Sequence, residues 1–238
     1  RPPAEEATET AVVRNDTGVF EGGEISMYYD PMIAKLCTWA PTRADAIEEM
    51  RIALDRFELE GIGHNLPFLA AVMDHSKFTS GDMTTAFIAE EYPDGFQGVE
   101  LNEAELRRIA ASTAAMNRVA EIRRTKISGR MDNHERRVGD NWVVSLQGEK
   151  FAVSVAADAN GSTVTFDDGA SLRVEGEWTP GMMLADMSVD GAPLVMKVGK
   201  ITGGFRIRNR GADLKVHVRS PRQAELALHM IEKLPPDT

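Results

Sequence analysis

Cysteine is almost missing from this 238-residue chain: Cys37 is the only one. That excludes an internal disulfide framework and fits a reducing compartment. Set in the apolar run Lys35 to Trp39, Cys37 is expected to be a buried small hydrophobe. No apolar run approaches the roughly 18 residues of a membrane span, and no signal peptide opens the chain, so no membrane partner is expected. Basic residues are in deficit, 27 against 37 acidic. No nucleic-acid partner is expected either, because phosphate binding needs a clustered positive face. The charge balance speaks for solubility instead. His64 and His75 have no cysteine or carboxylate at ligand spacing, which argues against zinc and leaves no metal site expected.

What is present begins with VRNDTGVFEGGEISMYYDPMIAKL, residues 13 to 36. Its polar residues are too many and too mixed for a plain strand, and it reads as a site-bearing hairpin. Val12-Val13 and Val19-Phe20 are β-type runs, and Glu21-Gly22-Gly23-Glu24 offers the glycines of a tight turn. Tyr28-Tyr29-Asp30-Pro31 breaks the pattern, and Met32 to Leu36 resumes an apolar run. Arg14, Glu24, Asp30 and Lys35 are thereby spread along a small sheet. Taken alone, Arg14 is a surface arginine at a strand end. Glu24, Asp30 and Lys35 read as structural groups that pair with each other or with backbone.

The length exceeds the usual domain of about 100 to 200 residues, so two compact units are expected. Arg1 to Thr10 is a proline- and glutamate-rich lead-in. Thr42 caps an amphipathic helix from Arg43 to Phe57, with Ala46, Ile47, Met50, Leu54 and Phe57 at helical spacing. Leu59 to Ile62 reads as a short strand, Pro67 to Asp74 as a second helix, Ser80-Gly81-Asp82 as a turn and Thr84 to Glu90 as a further short helix. This alternation is α+β. Tyr92-Pro93-Asp94-Gly95 marks the boundary, which divides the chain into residues 1–97 and 98–238.

Beyond it, Asn102 caps a helix over 102–124 with Leu106, Ile109, Thr113, Met116 and Ala120 on one face. Ala110, Ala111, Ala114 and Ala115 let other elements approach on several sides, which favours a helix wrapped by sheet. Residues 125–140 then carry a basic run, and a charge run by itself is a solvated face. From 141 to 220 come eight short alternating strands: Trp142–Gln147, Lys150–Ala157, Ser162–Phe166, Ser171–Trp178, Met183–Val189, Leu194–Ile201, Phe205–Asn209 and Leu214–Arg219. Asn160-Gly161, Asp168-Gly169, Asp190-Gly191, Gly203-Gly204 and Arg210-Gly211 separate several of them as hairpin turns. Eight antiparallel strands at this spacing must close or stack, and a β-barrel around the preceding helix would bury both. A last helix, Arg222 to Lys233, and a proline linker fill 221–238.

The strings VRNDTGVFEGGEISMYYDPMIAKL and ALDRFELEGIGHNLPFL resemble the C-terminal subdomain of biotin carboxylase, as carried by the α subunits of biotin-dependent acyl-CoA carboxylases. The resemblance runs from about Pro2 to Phe96 and is strongest to the propionyl-CoA carboxylase group. In that family the arginine of the VR-x-[DE]-[ST] element, matched by Arg14, lies against the ureido ring of biotin and stabilises its enolate during N-carboxylation. The resemblance therefore implies that Arg14 is both the catalytic and the biotin-binding residue here. An always-charged planar fork suits a developing oxyanion. The position of the second half matches the family's biotin transfer, or BT, domain, a long helix enclosed by an eight-stranded barrel. There the segment after the helix forms a hook on the carboxyltransferase β subunit, which makes Arg130, Met131, His134, Arg136 and Arg137 the expected docking residues.

The resemblance further implies a ligase that uses ATP and Mg, held by a preceding ATP-grasp region, and biotin, held on a lysine in the AMKM motif of a following biotin carboxyl carrier domain. Neither that region nor that motif is in this sequence. A start inside the resemblance, at Arg1, points to a piece of a longer protein that is inactive by itself. The family works in the bacterial cytoplasm or the mitochondrial matrix. Three rivals stand beside this reading: the α subunit of another carboxylase such as the methylcrotonyl enzyme, a non-catalytic assembly module, and an unrelated barrel that binds a small molecule. The alanine-lined helix argues against an open cavity in the last.

Overall fold

The computed structural model describes residues 1–18, 28, 32–59, 61–128 and 137–230. They form two units, residues 1–99 together with 208–213, and residues 100–207 together with the remainder.

In the first unit, strands β1 (Glu6–Ala7), β2 (Val12–Thr17) and β3 (Ala34–Trp39) make a three-stranded sheet in that order. Helices α1 (Arg43–Arg56), α2 (Leu66–Asp74), α3 (Ser76–Ser80) and α4 (Phe87–Glu91) follow. Thr42 caps α1 by accepting from the Asp45 N–H, and its neighbour strand is tied in by Thr38 Oγ1, which donates to the Ala46 carbonyl at 2.9 Å. Leu54 and Phe57 pack with Leu66 and Ala70, and Ala34, Leu36, Met50, Leu59 and Met73 close around them. One face of β3 is thus committed to the helices. Leu59 to Ile62 is not a strand: Gly61 sits at φ +88°, a left-handed conformation foreign to a sheet, and Ile62 is exposed. The turn expected at Ser80-Gly81 is the end of α3, with Gly81 as its left-handed C-cap.

Charge also stabilises this unit. Arg210 reaches Glu48 at 2.8 Å and Asp55 at 3.4 Å, and Asp55 is buried, accepting further from the Asn209 side chain and the Arg210 N–H. Burial pushes the Glu48 carboxyl up, but the charge of Arg210 and the hydrogen bonds of Arg51 and Arg210 outweigh it and hold Glu48 below its ordinary value.

In the second unit, α5 (Glu103–Thr125) leads into strands β4 (Asn141–Leu146), β5 (Glu149–Ala157), β6 (Ser162–Phe166), β7 (Ser171–Glu175), β8 (Leu184–Val189), β9 (Ala192–Ile201), β10 (Gly204–Asn209) and β11 (Ala212–Arg219), then α6 (Pro221–Ala227). The eight strands close into a barrel in which each pairs with the next and β11 returns to β4, His217 opposite Ser145. Inward residues alternate with outward ones, as in Val153 and Val155 of β5 or Val216 and Val218 of β11. The turns are built for this: Gln147-Gly148, Asp190-Gly191 and Arg210-Gly211 all have two consecutive positive φ values, the twist that two-residue hairpins need. Gly204 is required for a different reason, since a Cβ there would lie 1.9 Å from the Val216 carbonyl oxygen. β7 stops at Glu175, short of Trp178, because Gly176 turns away at φ +126°. The last helix ends at Ala227, earlier than its apolar pattern suggests, and residues 231–238 lie outside the described set.

Helix α5 starts at a capping box of Asn102 and Glu105, and its residues 109–116 are buried on every side. Thr113 turns its hydroxyl back to the Ile109 carbonyl at 2.8 Å. Arginines tether the helix to the turns and strand ends around it. Arg107 bonds Asp168 at 2.6 Å and lies 4.9 Å over the Phe166 ring, and Arg108 donates to the Pro193 carbonyl at 2.9 Å. Arg118 meets Asp140 at 3.3 Å and Arg123 donates to the Pro180 carbonyl at 3.2 Å.

Two outcomes follow from this packing. Ala111→Leu places a branched side chain where no volume remains and costs about 1–3 kcal/mol or more, read as a lowered denaturant midpoint of the barrel. Because Glu48 titrates lower in the folded than in the unfolded chain, its contribution is present above the unfolded value of 4.5 and is lost as pH falls through the folded one. Unfolding curves taken from about pH 6 down to about pH 3 therefore lose stability less steeply in Glu48→Gln than in the parent chain.

Candidate functional site

Pairing of β2 with β3 sets Val12 opposite Trp39, Arg14 opposite Cys37 and Asp16 opposite Lys35. Directly opposed residues share a face. With Leu36 and Ala34 packed on the helices, the other face presents these three pairs in a row. On it, Arg14 makes a two-pronged ion pair with Asp16: Nε to Oδ1 at 2.9 Å and Nη2 to Oδ2 at 3.1 Å. Nη2 also points at Cys37 Sγ, 3.8 Å away. The hydrogen bond and charge of Asp16, and then the nearby Cys37 sulfur, raise the Arg14 pKa further, so the guanidinium is a permanent cation. Its Nη1 side has no partner among the described residues, and the side chain is 62% exposed. The arrangement offers an open pair of donors with fixed positive charge, which fits the carbonyl oxygen of a urea-type ring.

Cys37 is not the buried hydrophobe expected from its apolar surroundings. It is half-buried and shares the face of Arg14, because strand alternation turns Leu36 rather than Cys37 to the core. Asp16 escaped attention in the sequence, although its two-residue spacing from Arg14 on a strand was the available signal. Lys35 is exposed on the same face. Glu24 and Asp30 lie outside the described residues, as do Val19-Phe20 and the turn at Glu21 to Glu24.

Of the expected docking residues, Arg130, Met131, His134 and Arg136 lie outside the described set, and Arg137 is exposed. The basic run before them is partly used within its own unit, since Arg124 pairs with the buried Glu121 and Arg123 holds Pro180. His75 is also occupied: Nδ1 accepts from the Lys77 N–H, capping α3, and Nε2 lies 3.2 Å from Glu91. Among the described residues no group of three or more His, Cys, Asp or Glu could hold a metal, and no helix is long and apolar enough to cross a membrane. A separate cleft of about 390 Å³ is lined by Thr38, Pro41, Met50 and Phe78, with Arg43 already bonded to the Phe78 carbonyl and stacked on its ring. It is mostly apolar and brings no polar groups to a common point.

Comparison with known proteins adds to this geometry. The family model of the propionyl-coenzyme A carboxylase BT domain matches residues 109–233, and that of the biotin carboxylase C-terminal domain matches residues 4–90. A propionyl-CoA carboxylase alpha chain from Ruegeria pomeroyi is 73% identical across 100% of this chain, which covers 37% of that relative. The mitochondrial propionyl-CoA carboxylase alpha chain of Mus musculus is 34% identical over 95% of this chain and 32% of its own length. A mitochondrial methylcrotonoyl-CoA carboxylase subunit alpha from Glycine max is 38% identical, over 44% of this chain and 15% of its own. The chain thus spans about a third of the length of the propionyl-CoA carboxylase relatives.

The exposed Arg14–Asp16 pair is screened by solvent and contributes little to folding. Arg14→Ala is accordingly expected to leave the thermal and denaturant midpoints at their parent values, as differential scanning fluorimetry and urea unfolding would register.

Proposed function

We propose that this chain, which belongs to the propionyl-coenzyme A carboxylase BT domain family, is the part of a carboxylase α subunit that lines the biotin site and docks the carboxyltransferase β subunit. The observation that carries the reading is the 73% identity to a propionyl-CoA carboxylase alpha chain through both units, joined to an open, permanently charged arginine on the outward sheet face. The complete subunit is a ligase in which ATP and bicarbonate, with Mg, drive carboxylation of biotin, and the β subunit passes the carboxyl group to propionyl-CoA. Other regions of the longer protein hold the nucleotide and the biotinylated carrier, and the compartment is the bacterial cytoplasm or the mitochondrial matrix.

Biotin, when delivered by its carrier, supplies a ureido nitrogen as the carboxyl acceptor. Arg14 receives the ureido oxygen on its open Nη1 side and holds the negative charge that gathers there, a task for which a fixed bidentate cation is better suited than a lysine. The second unit serves assembly. Its barrel anchors both ends of the segment 125–140, from which Arg130, Met131, His134, Arg136 and Arg137 contact the β subunit.

The methylcrotonyl reading has a narrower basis, since that relative aligns with 44% of the chain. Acyl choice in any case rests with the β subunit.

In the full-length subunit, Arg14→Ala lowers carboxylation of free biotin by roughly 10²–10³-fold, and unchanged turnover would reduce the chain to an assembly module. Deleting residues 130–137 abolishes co-purification with the carboxyltransferase subunit; a complex that survives the deletion contradicts the docking assignment.

A further inference from the structure

The guanidinium of Arg14 has two edges that can each offer a pair of parallel hydrogen bonds, Nε with Nη2 and Nη1 with Nη2. Asp16 fills the first, with both its oxygens at bonding distance, 2.9 and 3.1 Å. Only the second remains for a ligand. What borders it is the Cys37 sulfur, at 3.8 Å from Nη2 a long contact to a weak acceptor and readily displaced by an oxygen. Both carboxylate bonds fix the plane of the guanidinium as well as its position, which one bond could not do. The pair is too exposed, at 62% and 50% for its two side chains, to be explained by a contribution to folding.

We infer that Asp16 is the positioning residue of the biotin site: its carboxylate locks the Arg14 guanidinium so that the Nη1–Nη2 edge meets the ureido oxygen. This rests on the assignment of Arg14 to that site. Asp16 does not touch biotin; it acts through Arg14. Replacing the carboxylate by an amide removes one of the two acceptor oxygens and frees the guanidinium to swing about its own chain. A misplacement of about 1 Å at such a group can cost on the order of 10²-fold in rate.

The experiment compares Arg14→Ala, Asp16→Asn and Asp16→Glu in the full-length subunit assembled with its carboxyltransferase partner. Three quantities are read: binding of free biotin without ATP, by ligand-observed saturation-transfer NMR; kcat and KM for carboxylation of free biotin; and the thermal midpoint. Asp16→Asn weakens biotin binding by about fivefold or more and lowers kcat by about tenfold or more. The KM for ATP and the midpoint stay at their parent values, and Asp16→Glu, which keeps both oxygens, recovers most of the loss. Should Asp16→Asn match the parent while Arg14→Ala is defective, the positioning role is overturned and the site assignment stands. Should Arg14→Ala be silent as well, both fall.

Discussion

Everything in the second unit depends on how little space α5 takes. An eight-stranded barrel has an interior that side chains alone can fill. To accept a helix along its axis, that helix must have almost no side chains where the wall is closest. Ala110, Ala111, Ser112, Thr113, Ala114 and Ala115 meet the requirement over nearly two turns, and all are buried. The wall supplies the bulk instead, through residues such as Val144, Val155, Phe166, Met196 and Ile207. Since neither the helix nor the strands can bury their apolar surface without the other, helix and barrel form one cooperative core. The polar groups sit at the margins, where Arg107, Arg108, Arg118 and Arg123 reach rim atoms and keep the helix from sliding.

The first unit solves a different problem. A strand pair with one face sealed by helices must present the other, and the residues that alternate onto it become available for chemistry. Here that row holds an arginine already bonded on one edge and open on the other. A stable scaffold therefore carries a charged group whose pairing adds little to stability, which is the economy expected of a binding surface rather than a core. Division of labour follows from construction: the sheet face meets a small polar ring, while the helix-filled barrel, having no interior left for a ligand, works through what projects from it.

Much of this was legible in the sequence. The alanines at 110, 111, 114 and 115, followed by eight alternating runs, led to the enclosed helix, and the strand limits fell within a few residues of those observed. Arg14 was visible through the motif around it. Three things were not. Leu59 to Ile62 has strand-like composition, but Gly61 takes a left-handed conformation. Cys37 lies in an apolar run whose phase only the pairing with β2 reveals, so its place beside Arg14 could not be read. Asp16 was hidden for a simpler reason, since a carboxylate two residues from an arginine becomes its partner only once both are known to lie on one strand.

The claim that the two units divide binding from docking is tested most directly by hydrogen–deuterium exchange of the full-length subunit, with and without its carboxyltransferase partner. The account predicts that the partner slows exchange in peptides spanning residues 125–140 and leaves those spanning Val12 to Thr17 unchanged. Protection centred on Val12 to Thr17, with residues 125–140 unaltered, would contradict it.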